Sequence, residues 1–131
     1  MIECINPSII NSIPLIRPSE SEYHYSYYPI PNTDDVIQVK LKRSSNCTAF
    51  KTWEACFAFL EWMVSNQSLF HNKRVLELGS GSGLCGQMMQ AIIPSCSVVM
   101  SDYCDEVAEY IQGNVEESTQ TNSLFNRSDC F

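Results

Sequence analysis

The chain has 131 residues and a mass of 14.9 kDa, enough for one domain with a real core but short for two. Apolar residues make up 44% and charged residues 18%, with only five glycines, which excludes collagen-like, mucin-like and wholly disordered chains. A net charge of −7 argues against direct nucleic-acid binding, and no apolar run approaches the roughly 18 residues of a membrane span.

Residues 1–34 hold five of the six prolines and little periodicity, and read as a loosely ordered lead-in. A Tyr-rich patch (Tyr23, Tyr25, Tyr27 and Tyr28) lies within it. The N-terminus lacks a basic segment followed by a long apolar one, so no secretory signal is expected. Asp35 to Arg43 alternates, with Ile37, Val39 and Leu41 on one face and Gln38, Lys40 and Lys42 on the other, the pattern of a half-buried strand. Thr52 to Asn66 reads as an amphipathic helix, its stripe formed by Trp53, Cys56, Phe57, Leu60, Met63 and Val64. Trp53 fits either a core aromatic or a ligand contact.

Arg74 to Leu78 is a short strand that runs directly into Gly79-Ser80-Gly81-Ser82-Gly83. Leu84, Met88, Ala91 and Ile92 mark a helix that stops before Pro94. Ser97 to Met100 is a second apolar strand ending in Ser101-Asp102, and Val107, Ile111 and Val115 mark a further helix that closes near Gly113-Asn114. The order β–Gly loop–α–β–α opens a doubly wound α/β sheet. After Glu117 the pattern stops. Residues 118–131 read as a polar tail that leaves the sheet incomplete, as in a truncated product or a fragment of a longer fold.

Seven cysteines at 4, 47, 56, 85, 96, 104 and 130 form no C-x-x-C pair. Their odd number and scattered spacing predict reduced, buried thiols in a cytoplasmic or nuclear protein rather than a disulfide or zinc framework. His24 and His71 are isolated, so no metal site is expected. Residues 102–131 carry seven acids against Arg127 alone, which reads as a solvated helix face and tail.

The chemistry concentrates at the glycine loop. Glycines at 79, 81 and 83 allow a sharp turn and close backbone approach to a ligand, and the loop opens a helix whose free N–H groups point the same way. Asp102, at the end of the next strand, can accept hydrogen bonds from ribose hydroxyls. Together these indicate a nucleoside-containing cofactor. Gly81-Ser82-Gly83-Leu84-Cys85-Gly86 also satisfies the dinucleotide pattern G-x-G-x-x-G, so NAD is an alternative. Glu77 favours a ligand with an ammonium group, such as S-adenosylmethionine, because a carboxylate repels a nearby pyrophosphate.

Glu77-Leu78-Gly79-Ser80-Gly81-Ser82-Gly83-Leu84 resembles motif I (E-x-G-x-G-x-G) of class I, seven-β-strand methyltransferases. Thr48-Ala49-Phe50-Lys51-Thr52-Trp53-Glu54-Ala55 resembles the T-G-x-x-x-W-[DE]-A segment of the methyltransferase-like protein-lysine methyltransferases, with Ala49 where that family usually has glycine. Ser101-Asp102 and Gly113-Asn114-Val115 are similar to that family's acid after motif I and its helix-terminal Asn-Val. Within the family, the sequence is most similar to the elongation factor 2 lysine methyltransferase (FAM86) group, over about residues 36–117.

The resemblance implies a Rossmann-like fold, S-adenosylmethionine as cofactor and a protein substrate, with elongation factor 2 the candidate. It implies that Trp53 contacts the cofactor, that Gly79, Ser80, Gly81 and Gly83 wrap it, that Glu77 orients it and that Asp102 holds the ribose. Such enzymes carry a later D-x-x-Y motif on the substrate side, and nothing after Asn114 matches it. The expectation is therefore a cofactor-binding portion that does not methylate at a useful rate alone. The alternative is an inactive relative that serves as a binding or interaction module.

Overall fold

The computed structural model describes residues 22–43, 47–103 and 105–121. Strand β2 (Val36–Lys42) pairs antiparallel with β1 (Tyr23–Pro29), in register from Tyr23 opposite Lys42 to Pro29 opposite Val36. Ile37, Val39 and Leu41 are buried, as their alternation predicts. β1 departs from the expectation of a loosely ordered lead-in. Its tyrosines favour a pleated surface, and Pro29 and Pro31 fall at the strand end and in the turn, where no ladder N–H is lost. The turn is closed by Thr33, whose hydroxyl donates to the Ile30 carbonyl at 3.0 Å and accepts from the Asp35 amide at 3.1 Å. Asn32 adopts φ 62°, which a short polar side chain tolerates. Residues 1–21 of the expected lead-in and 122–131 of the expected tail lie outside the described residues.

Helix α1 (Glu54–Ser65) is followed by β3 (Arg74–Leu78), α2 (Leu84–Ile92), β4 (Ser97–Ser101) and α3 (Asp105–Thr121). β3 and β4 pair in parallel, from Arg74 opposite Ser97 to Leu78 opposite Ser101. The architecture is mixed α/β, an incomplete Rossmann-like sheet of two parallel strands beside a separate two-stranded hairpin.

α2 is the hub of the packing because it is apolar on two sides. Leu84, Met88 and Ala91 meet Ile30, Ile37, Val39 and Leu41 of the hairpin. Met89, with Ile93 just past the helix end, meets Met63 of α1 and Cys96 and Val98 at β4. A third cluster joins Ala49 and Phe50 to Val107, Ile111 and Val115 of α3. Of the apolar stripe expected on α1, Met63 is fully buried, whereas Phe57, Val64 and Trp53 are exposed. Instead Trp62 packs with Phe59 and Phe70, at ring-centroid distances of 6.0 and 5.9 Å.

α3 does not close near Gly113-Asn114 but continues to Thr121. The reason is a row of polar side chains one helical turn apart. The Tyr110 hydroxyl donates to the Lys40 carbonyl. Asn114 Oδ1 accepts from the Lys40 amide at 2.9 Å, and the Ser118 hydroxyl donates to the Gln38 carbonyl at 2.9 Å. These are the backbone groups that β2 turns away from β1. α3 therefore covers an edge that would otherwise present unpaired donors and acceptors.

Candidate functional site

β3 alternates across its pleat. Val75 and Glu77 lie on the side where α1 and α2 pack, while Leu76 and Leu78 are exposed at 61% and 76%. The position of Glu77 is tight. A Cβ on Gly86 of α2 would lie 2.8 Å from Glu77 Oε2 and 2.5 Å from the Met100 sulfur, so any larger residue must push both side chains out of their present places.

Beyond Leu78 the chain turns through Gly79, Gly81 and Gly83, with φ 69°, 53° and 77°. Each lies in the left-handed region, where a side chain is strained. The loop is stapled to the end of β4. The Ser80 amide donates to the Ser101 carbonyl at 3.0 Å, and the Ser80 hydroxyl accepts from the Ser101 amide at 3.1 Å and donates to the Glu77 carbonyl at 3.2 Å. The Ser80 carbonyl also accepts the Gly83 amide at 2.8 Å, so side chain and backbone of Ser80 are both committed to holding the shape of the turn.

Asp102 lies where the sequence puts it, at the end of β4 and against the loop. Its Oδ2 accepts the Gly81 amide at 2.8 Å and its Oδ1 accepts the Tyr103 amide at 2.8 Å. Each carboxylate oxygen retains a further acceptor site. From the other side the 48–53 segment closes on the loop. The Ala49 carbonyl lies so near that a Cβ on Gly81 would stand 3.1 Å from it, and the Thr52 and Ser82 hydroxyls are 3.4 Å apart. Trp53 ends this segment. Its indole N–H donates to the Thr48 carbonyl at 3.0 Å, and 59% of the residue is exposed, so it is a surface aromatic rather than a core residue, on the segment that meets the loop through Ala49 and Thr52.

Two contributors escape sequence reasoning about the site. Asn114, visible only as part of an Asn-Val pair, is 1% exposed and donates to the Ser82 carbonyl at 2.9 Å, tying α3 to the glycine loop. Thr52 lies next to Trp53 and reaches Ser82 through its hydroxyl, a contact that no periodicity signals.

The electrostatics centre on Glu77. Burial lifts its carboxyl from an ordinary 4.5 to about 7, against the opposite pull of the Gly86 amide and the Ser80 hydroxyl. Its Oε2 is buried with no hydrogen-bond partner among the described residues. An unpaired buried acceptor under a left-handed glycine turn suits a cationic donor, and the Asp102 carboxylate suits a hydroxyl. Among the described residues, no three His, Cys, Asp or Glu side chains group to hold a metal ion.

Comparison with known families decides what this arrangement belongs to. Residues 32–127 match the family model described as lysine methyltransferase. The chain belongs to the lysine methyltransferase family. It is similar to the mouse protein-lysine N-methyltransferase EEF2KMT, 32% identical over 105 residues that cover 77% of this chain and 30% of that protein. The human protein of the same name is 38% identical over 72 residues, 55% of this chain and 22% of its own length. The Arabidopsis thaliana calmodulin-lysine N-methyltransferase is 43% identical over 60 residues, 46% of this chain and 18% of its length. The chain thus spans less than a third of these curated relatives. The matched range contains the 48–53 segment, the glycine loop, Asp102 and Asn114, so the site described above lies wholly within the family domain.

Proposed function

We propose that this chain forms the cofactor-holding part of an S-adenosylmethionine-dependent protein-lysine N-methyltransferase. The observation that carries the reading is the buried, unpartnered Glu77 Oε2 beneath three left-handed glycines, with Asp102 bonded to the middle one.

Bound there, S-adenosylmethionine supplies a methyl group on a cationic sulfur, open to in-line attack by a neutral lysine amine. The chain's own residues position the donor. Glu77 receives the ammonium of the methionyl part, which recovers the cost of burying its carboxylate. Asp102 accepts hydrogen bonds from the ribose hydroxyls. Gly79, Gly81 and Gly83 allow close approach of the main chain, and Ser80 fixes the shape of the turn they form. Trp53 offers an exposed aromatic surface on the segment that meets the loop. Positioning of this kind is the main contribution a protein makes to direct methyl transfer. NAD fits less well, because its pyrophosphate would lie near a buried carboxylate with no cation to offset it.

Elongation factor 2 is the substrate suggested by the name EEF2KMT of the mammalian relatives. A calmodulin-directed relative is also similar over this region, so the substrate test sets elongation factor 2 against calmodulin.

Cofactor binding is tested by thermal unfolding with S-adenosylhomocysteine, with NAD as control. At about 100 times its dissociation constant the ligand adds about 2.7 kcal/mol, a shift of several degrees in a domain this small. A rise with S-adenosylhomocysteine alone, abolished by Asp102→Ala, is expected. A rise with NAD alone, or no response from a chain that unfolds cooperatively, would overturn the reading.

A further inference from the structure

Cys56 and Cys85 face one another across the seam between α1 and α2, both half-buried, with their sulfurs 3.0 Å apart. Each occupies the first turn of its helix. Cys56 thus follows Trp53 closely, and Cys85 follows the last glycine of the loop. The Cys85 thiol donates to the Cys56 sulfur, and its bond to the Cys56 carbonyl is longer, at 3.9 Å. We propose that Cys56 and Cys85 are an oxidation-sensitive pair that closes to a reversible disulfide and latches the start of α1 to the start of α2.

Sulfurs in contact need to approach by only about 1 Å more to reach bonding distance. The asymmetry between the two thiols assigns their roles. The hydrogen bond from Cys85 holds Cys56 below the ordinary thiol range, and the same bond together with burial pushes Cys85 up. Cys56 is therefore the attacking sulfur. With a peroxide as oxidant, the Cys56 thiolate attacks one oxygen, the O–O bond breaks, and hydroxide leaves to take up a proton as water. Cys56 is then a sulfenic acid. The Cys85 sulfur attacks it, the S–S bond forms, and the sulfenic oxygen departs as a second water with the Cys85 proton. Two thiols are oxidised by two electrons and one peroxide is reduced. A dithiol reverses the bond by exchange.

The other described cysteines are placed differently. Cys96 is buried in the core, and Cys47 has its sulfur 3.8 Å from the Tyr103 hydroxyl. Among the described residues no third ligand groups with these two sulfurs, short of the set that a zinc site needs.

The test treats the purified, reduced full chain with a small excess of hydrogen peroxide, blocks free thiols with iodoacetamide and maps non-reduced peptides by tandem mass spectrometry. A Cys56–Cys85 crosslink is expected as the first product, removed by dithiothreitol. Closing the loop between residues 56 and 85 should raise the unfolding midpoint by on the order of 10 °C, and Cys56→Ser should lose both effects. Where that variant does not fold, the crosslink map of the unsubstituted chain decides alone. Alkylation of both cysteines after peroxide, a first crosslink through other cysteines, or sulfinic acid at Cys56 in place of the disulfide would overturn the proposal.

Discussion

Glu77→Gln should stabilise the protein at neutral pH and leave it unchanged in acid. In the unfolded chain this carboxyl loses its proton near 4.5, whereas in the fold it does so near 7. Below pH 4.5 both states are protonated and a neutral amide in its place changes little. Between 4.5 and 7 the folded state holds a proton that the unfolded state has released, so stability falls as pH rises through this window. The difference of about 2.5 units corresponds to about 3 kcal/mol, fully expressed above pH 7. Gln removes that cost while keeping the shape of the side chain. Urea unfolding of both proteins at half-unit steps from pH 4 to pH 8 measures it, and the difference between them cancels the contributions of the other carboxylates. The two curves should converge at the acid end, near pH 4, and separate progressively as pH rises, with the variant the more stable. A constant gap across the range, or one that opens toward acid, would refute the burial of this carboxyl. The same variant should bind S-adenosylhomocysteine more weakly, so that stability and binding move in opposite directions.

Gly86→Ala should destabilise by about 1–3 kcal/mol in urea unfolding despite alanine's better helix propensity, because its Cβ would collide with Met100 and the Glu77 carboxylate. A stabilised variant would mean that the Met100 and Glu77 side chains move aside at little cost. Asn114→Ala should cost about 2–4 kcal/mol, since it strands the Lys40 amide and the Ser82 carbonyl. The loss should be matched by weaker protection of the Lys40 amide in hydrogen exchange, and an unchanged exchange rate would argue against the bond.

Much of the fold was legible because its signals are local. The alternation of Ile37, Val39 and Leu41 is a property of neighbouring residues, as is the run of glycines whose backbone adopts positive φ. Glu77 stood out as an acid inside a strand, and Asp102 as an acid at a strand end. What sequence did not reveal depends on distant partners. β1 was hidden because a proline-rich stretch reads as disorder until a second strand is there to pair with it. The length of α3 was hidden because the hydrophobic stripe ends at Val115, while the helix runs on to bury Ser118, whose partner is the Gln38 carbonyl 80 residues earlier. Trp53 read equally as a core residue or a ligand contact, and its exposure removes the first of these. The role of Gly86 needed the strand behind it to be seen.

The row of polar contacts from α3 also sets a timetable for the chain during synthesis. Asn114 reaches Lys40 across 74 residues and the glycine loop across 32, so neither can be secured until the last described helix has been made. At about 5–20 residues per second, β2 waits roughly 4–15 s for that partner. During this interval the hairpin offers an open edge to any extended chain nearby, and the glycine loop lacks one of its anchors. A change that weakens α3 would therefore act first on the yield of correctly folded protein, and only afterwards on the site that the helix braces.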